Sequence, residues 1–234
     1  NSLFTRDSSC WIGNGVCVNP MYFEARERES LNVGTIYRFH PEFRDASFRF
    51  WFTDEIVDVH RENFGQSRLE GGDVMPIGNG TVVVGISQRT TAPMIELLAR
   101  AIFEAGDATR VIACEVGRDR SHMHLDTVLT FLDRDAVTIY PRVVENMRTF
   151  SLYPGDGEDA IRVVEEPHFL DALRDALGLA QLRVVPTGGD EFASAREQWD
   201  DGNNVVALEP GVVIAYAKNE HTNRLMREAG IEVI

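Results

Sequence analysis

Val74-Met75-Pro76-Ile77-Gly78-Asn79-Gly80-Thr81-Val82-Val83-Val84-Gly85-Ile86 reads as a β-hairpin. Two apolar runs, the second rich in β-branched residues, meet at Gly78-Asn79-Gly80, residues that accept the positive φ of a tight turn. Downstream, Thr91 and Pro93 mark a helix start, Met94, Leu97, Leu98, Ala101 and Ile102 share one face, and Gly106 follows the end. Arg110 to Val116 is then apolar and β-branched, as a buried strand should be. The unit is strand, strand, helix, strand.

The same order recurs along the chain. Ser8 to Val18 turns at Gly13-Asn14-Gly15, Thr127 to Tyr140 at Asp133-Arg134-Asp135, and Val205 to Tyr216 at Glu209-Pro210-Gly211. After the third hairpin, Phe169, Leu170, Leu173 and Leu177 form a helical stripe closed by Gly178, leading to a strand over Leu182 to Val185. After the fourth, Asn219 to Ala229 reads as a helix stopped by Gly230, with Ile231 to Ile234 as the strand. The first hairpin precedes a helical segment over Glu24 to Phe39, which Gly34 and Thr35 weaken, and a strand over Phe48 to Phe52. A unit repeated about four times stacks around an axis and buries a shared core, which predicts an α/β propeller rather than a doubly wound sheet.

Acidic groups punctuate this pattern at Phe4-Thr5-Arg6-Asp7, Glu70-Gly71-Gly72-Asp73, His124-Leu125-Asp126 and the rim Asp200-Asp201. The first three stand at hairpin entries, and in a ring the hairpin mouths meet at the centre. Gathered carboxylates repel one another and resist desolvation, so such a site calls for a cation, either a metal ion or an organic one. His122-Met123-His124-Leu125-Asp126 could offer metal ligands from one strand face, but no third histidine lies nearby. His124 beside Asp126 also suits acid–base chemistry on a cationic substrate, whereas His122 reads as structural. The Gly71-Gly72 pair permits close approach of a ligand or of a second stretch of backbone, or a plain turn.

With 234 residues, 44% of them hydrophobic and 26% charged, the chain can bury a substantial core. Its 23 basic and 37 acidic residues give a net charge of −14, which argues against nucleic acid or an anionic membrane as partner. Cys10, Cys17 and Cys114 follow no metal or disulfide spacing, pointing to a reducing, cytoplasmic setting. No apolar run is long enough to span a bilayer. The absence of an initial Met and the strand ending at Ile234 lead us to expect a single-domain fragment, cut at both ends.

Phe4-Thr5-Arg6-Asp7, Glu70-Gly71-Gly72-Asp73 with Gly78-Asn79-Gly80, Ser87-Gln88-Arg89-Thr90, Met123-His124-Leu125-Asp126-Thr127 and Arg196-Glu197-Gln198-Trp199-Asp200-Asp201-Gly202-Asn203-Asn204 together resemble the arginine deiminases. The match runs over almost the whole chain in the right order. The resemblance implies the pentein fold, a five-bladed α/β propeller of the unit described above, here incomplete at both ends. It also implies hydrolysis of L-arginine to citrulline and ammonia through a covalent Cys-amidino intermediate, without metal or other cofactor, by a full-length homo-oligomer. Asp7 and Asp126 would grip the substrate guanidinium, His124 would act as general acid and base, and Glu70 would orient it. Arg26 and Arg89 would pair with the substrate's α-carboxylate, and Asn1 and Phe4 would line the pocket. The family's nucleophilic cysteine, in a Gly-rich stretch ahead of a Cys-Met pair, has no counterpart among these residues. It is expected beyond the chain, as is the helical insertion of the first blade.

Overall fold

A computed structural model describes residues 4–53, 67–157 and 160–234. The first hairpin pairs β1 (Ser9–Ile12) with β2 (Gly15–Val18), and α1 (Glu27–Phe39) leads through the short α2 (Pro41–Arg44) to β3 (Arg49–Phe50). The second pairs β4 (Val74–Gly78) with β5 (Thr81–Ser87), followed by α3 (Ala92–Glu104) and β6 (Arg110–Gly117). The third pairs β7 (Leu129–Asp133) with β8 (Ala136–Ile139). The short α4 (Pro141–Val144), β9 (Thr149–Pro154) and β10 (Ile161–Glu166) come next, then α5 (Phe169–Leu177) and β11 (Arg183–Pro186). Helix α6 (Glu191–Trp199) precedes the fourth hairpin, β12 (Val206–Glu209) with β13 (Val212–Ile214), and α7 (Glu220–Glu228) and β14 (Glu232–Val233) follow it.

All four expected hairpins are present. In three of them the later strand lies parallel to the second hairpin strand: β3 beside β2, β11 beside β8 and β14 beside β13. The second sheet departs from the pattern by recruiting β9 and β10, in the order β10-β9-β6-β5-β4. Those two strands, and α6, have no counterpart in the sequence reading. The fold is mixed α/β with four separate sheets among the described residues.

The chain divides into two compact units. One comprises Asn1–Cys114 with Phe150–Glu165 and is built around the five-stranded sheet. Its core joins Met94, Ile95, Leu98, Ala99 and Ile102 of α3 to Val82 and Val84 of β5, Val111 and Ala113 of β6, and Leu152 of β9. The i, i+3, i+4, i+7 spacing of Ile95, Leu98, Ala99 and Ile102 gives α3 a single apolar face for this packing. Consecutive Val82, Val83 and Val84 are all buried, as in a central strand covered on both sides.

The other unit comprises Glu115–Thr149 with Glu166–Ile234. Leu132, Ala136, Val185, Val205, Val213, Met226 and Ile231 form a core there. Its helices are tied together by a charge: the buried Glu197 carboxylate on α6 accepts from the N–H groups of His221 and Thr222 at 2.9 and 2.8 Å, and from the Thr222 hydroxyl at 2.6 Å. These N–H groups open α7 and have no partner within their own helix, so Glu197 completes that helix's first turn and meets the positive end of its dipole. Replacing Glu197 by Ala strands those donors, and chemical denaturation should show a loss of about 2–5 kcal/mol. An unchanged midpoint would mean that Glu197 does not secure α7.

Candidate active site

Asp7 sits in the turn before β1, and its backbone is pinned from two directions. Its carbonyl accepts from Asn19 Nδ2 at 2.7 Å and from Gly71 N at 3.0 Å. A Cβ at Gly71 would lie 1.9 Å from the Arg6 carbonyl oxygen and 2.9 Å from that of Ser9, so only glycine lets these segments touch. Of the readings open for the Gly pair, the structure selects close approach of a second backbone. Glu70 stands just before the short 3₁₀ turn Gly71–Asp73, and both acids of the motif are fully buried, with Asp7 nearly so.

Two guanidiniums answer these acids. Arg26 Nη1 lies 3.0 Å from Asp7 Oδ2 and 3.5 Å from Glu70 Oε2, while its Nε and Nη2 fork onto Glu29 at 3.0 and 2.9 Å. Hydrogen bonding to Glu29, reinforced by Asp7 and Glu70 against the opposing effect of desolvation, pushes Arg26 above the ordinary guanidinium pKa. Arg89 Nη1 meets Glu70 Oε2 at 3.2 Å, and Tyr22 N donates to Glu70 Oε1 at 3.2 Å. Glu70 is thus met on both oxygens. Phe4, two-thirds exposed, lies 5.8 Å from the Arg26 guanidinium, and Phe23 lies 5.2 Å from that of Arg89.

The Ser87-Gln88-Arg89-Thr90 turn explains how Arg89 is aimed. Ser87 Oγ donates to Asp73 Oδ2 at 2.7 Å and accepts from the N–H groups of Arg89 and Thr90 at 3.0 and 3.1 Å. The Thr90 hydroxyl in turn lies 3.2 Å from Glu70 N, which donates to it. The buried Asp73 therefore fixes a hydroxyl, the hydroxyl fixes a turn, and the turn carries the cation that meets Glu70.

His124 and Asp126 belong to the second unit. His124 is the residue before the 3₁₀ turn Leu125–Thr127 and is 4% exposed, with Asp126 at 7%. Thr127 Oγ1 donates to the His124 carbonyl at 2.6 Å, and Thr130 Oγ1 to the Asp126 carbonyl at 3.2 Å. His122 is placed differently. It is only partly buried, its Nδ1 lies 3.0 Å from Ser121 Oγ, and burial lowers its pKa against the smaller opposing pull of Asp119. Asp200 and Asp201 of the expected rim lie where Lys218 Nζ meets Asp200 at 2.9 Å; burial raises the Asp201 pKa, with Lys218 opposing and Asp200 adding.

Of the expected site residues, Asp7, Glu70, Arg26 and Arg89 form one ion-paired group in the first unit, with Phe4 against Arg26. His124 and Asp126 share one turn in the second unit. Asn1 lies outside the described residues. Arg26 and Arg89 donate to the protein's own Asp7 and Glu70, a pairing with no sequence signal because the partners lie far apart along the chain. Gln198 and Asn203 also bear on the second group and carry no chemical role in the sequence reading.

None of the three cysteines is placed as an activated nucleophile. Cys17 faces Cys10 across the first hairpin, and burial, with Cys10 adding, pushes its pKa well up. Cys114 is fully buried, its thiol directed to the Val84 carbonyl at 3.8 Å, and burial with the Asp73 charge raises its pKa strongly. Cys10 is half-buried, with Sγ 3.6 Å from Asn19 Oδ1. Iodoacetamide at neutral pH should therefore label Cys10 alone in the folded chain, with Cys17 and Cys114 reacting only after unfolding. Rapid labelling of Cys114 in the native state, read by peptide mass spectrometry, would contradict this placement.

The chain belongs to the arginine deiminase family, whose model it matches over residues 1–234. Its fold is also similar to that of several solved structures. A dimethylarginine dimethylaminohydrolase, solved as an adduct with S-methyl-L-thiocitrulline, superposes with a TM-score of 0.63 at 17% identity, over 100% of this chain and 68% of that one. The Pseudomonas aeruginosa enzyme of that name, a cysteine-to-serine mutant complexed with citrulline, gives 0.61 at 19%, again over 100% and 68%. Inosamine-phosphate amidinotransferase from Streptomyces griseus gives 0.63 at 17%, over 98% and 60%. At such identities the likeness is one of fold.

Proposed function

We propose that these residues carry the guanidinium-binding and proton-transfer groups of an arginine deiminase, which hydrolyses L-arginine to L-citrulline and ammonia. The family match supports the reading, and one observation carries it: Asp7 and Glu70 are buried carboxylates already engaged by guanidinium groups. A substrate guanidinium is chemically the same partner. Asp7 and Asp126 accept its N–H groups, each charge-assisted bond contributing about 1.5–3 kcal/mol. Arg26 and Arg89 bind the α-carboxylate, Glu70 orients His124, and Phe4 borders the substrate. The complete ring is a five-bladed propeller, and the full-length enzyme is a cytoplasmic homo-oligomer.

The reaction runs in two displacements. A thiolate supplied by a residue outside these 234 attacks the guanidinium carbon, and His124 gives its proton to the departing nitrogen, which leaves as ammonia. His124 then takes a proton from water, the hydroxide adds to the amidino carbon, and collapse expels the thiolate while the added hydroxyl loses its proton to solvent or to the released ammonia, leaving citrulline's neutral ureido group. No step needs a metal or organic cofactor. Other guanidino-modifying enzymes, the dimethylarginine hydrolases and amidinotransferases, are the alternative that shares the guanidinium-binding logic, whereas a catalytically inactive pentein binding protein would need neither the histidine nor the acids.

In the full-length protein, Asp7→Asn, Asp126→Asn and His124→Ala should each lower citrulline formation from L-arginine by at least about a hundredfold. Arg26→Ala should raise KM for L-arginine by more than for agmatine, which lacks the carboxylate, with both affected because Arg26 also pairs with Asp7 and Glu70. Wild-type turnover of N,N-dimethylarginine in preference to L-arginine would replace the deiminase reading with a dimethylarginine hydrolase. Citrulline production within a fewfold of wild type in the Asp7 variant would remove that residue from the site.

A further inference from the structure

Gln198, at the C-terminal end of α6, makes contacts that reach the turn bearing His124. Its Nε2 donates to the Ser121 carbonyl and to the Thr127 carbonyl, each at 2.8 Å. Those two carbonyls stand at opposite ends of the segment that carries His124 and Asp126. Gln198 Oε1 accepts from Asn203 Nδ2 at 2.9 Å, and Asn203 Nδ2 also donates to Thr187 Oγ1 at 2.7 Å. Asn203 Oδ1 accepts from Thr138 Oγ1 at 2.7 Å. Gln198 is 2% exposed and Asn203 not at all.

The chemistry of this network is directional. Only an amide NH₂ can face two carbonyl oxygens, so Gln198 has a single acceptable orientation, and Asn203 is oriented in turn by Gln198, Thr187 and Thr138. The restraint passes onward through Thr127, whose carbonyl is held by Gln198 and whose hydroxyl holds the His124 carbonyl at 2.6 Å. A glutamate would have nearly the same shape but would set a carboxylate oxygen against both carbonyls. A buried network of this kind either fixes one conformation or, once broken, leaves several polar atoms unsatisfied.

We propose that Gln198, oriented by Asn203, is a positioning residue that clamps residues 121–127 at both ends and so holds His124 and Asp126 in reactive register. The proposal rests on the deiminase reading for what His124 and Asp126 do, but not for the clamp itself. Displacements of about an ångström in a reacting group can reduce rates by a hundredfold, the scale on which such a clamp acts.

The test uses the full-length protein and two readouts. Gln198→Leu and Gln198→Glu should each lower kcat/KM for L-arginine by about ten- to a hundredfold. Adding Gln198→Leu to His124→Ala should change the residual rate by less than about twofold, because a residue acting through His124 has nothing left to position. An equal fold-loss in both backgrounds, or a Gln198→Leu enzyme within twofold of wild type, overturns the proposal. Should neither Gln198 variant fold, Thr127→Val deletes only the hydroxyl link to His124 and must show the same His124-dependent loss. Histidine-selective NMR reads the clamp without turnover: Gln198→Leu or Thr127→Val should shift or split the His124 ring signals and leave those of His168 in place. Unmoved His124 signals overturn the clamp, whereas shifted signals in a protein that never makes citrulline uphold it and remove only the deiminase reading.

Discussion

Three carboxylates, those of Asp7, Glu70 and Asp73, are buried within one compact unit, and the loss of their solvation has to be offset by partners inside it. Arg26 and Arg89 supply the opposing charge to Asp7 and Glu70, and Ser87 supplies a hydroxyl donor to Asp73. Removing one partner from a buried pair typically destabilises by about 3–5 kcal/mol, although the intact pair adds little net stability. The arrangement is therefore better understood as holding negative charge ready than as holding the fold together. Apolar packing of α3 on its sheet does the latter.

The local sequence serves that constraint in specific ways. Gly71 lets the Glu70 strand entry lie against Arg6 and Asp7, so that carboxylates from separate hairpins share the same guanidinium. Arg26 is held on its other edge by Glu29, one turn along, which fixes the fork in the orientation that reaches Asp7. The second unit solves a different problem with uncharged groups. Its histidine stands just before a short 3₁₀ turn that carries the aspartate, and side chains of Thr127, Thr130 and Gln198 donate to backbone carbonyls of this stretch. Glu197, next to Gln198, meanwhile completes the first turn of α7. The Glu197-Gln198 dipeptide thus serves two separate elements.

Much of this was legible in the sequence because turn chemistry and periodicity are local. Gly78-Asn79-Gly80 adopts positive φ at all three residues, and the stripe on α3 packs as its spacing predicts. The strands β9 and β10 escaped for opposite reasons. Thr149–Pro154 alternates as a strand should but stands outside the hairpin-helix-strand rhythm, and Ile161–Glu166 mixes Arg162 and two glutamates into an exposed edge. Helix α6 overlaps the family-like run only at Arg196–Trp199, and its start is marked by Asp190, which caps it by accepting from Ala193 N. The pairing of Arg26 with Asp7 and the hold of Gln198 on Thr127 span 19 and 71 residues, and no periodicity reports contacts at that range.

On the proposed function, Asp7 forms part of a charge-assisted site for a guanidinium. Calorimetric titration of the full-length His124→Ala protein, which should bind without turnover, measures this most directly with L-arginine and its neutral product L-citrulline as the two ligands. L-arginine should bind about ten- to a hundredfold more tightly, the equivalent of one charge-assisted hydrogen bond, and adding Asp7→Asn should abolish most of that preference. Equal affinity for the two ligands, or a preference that survives Asp7→Asn, would contradict the account.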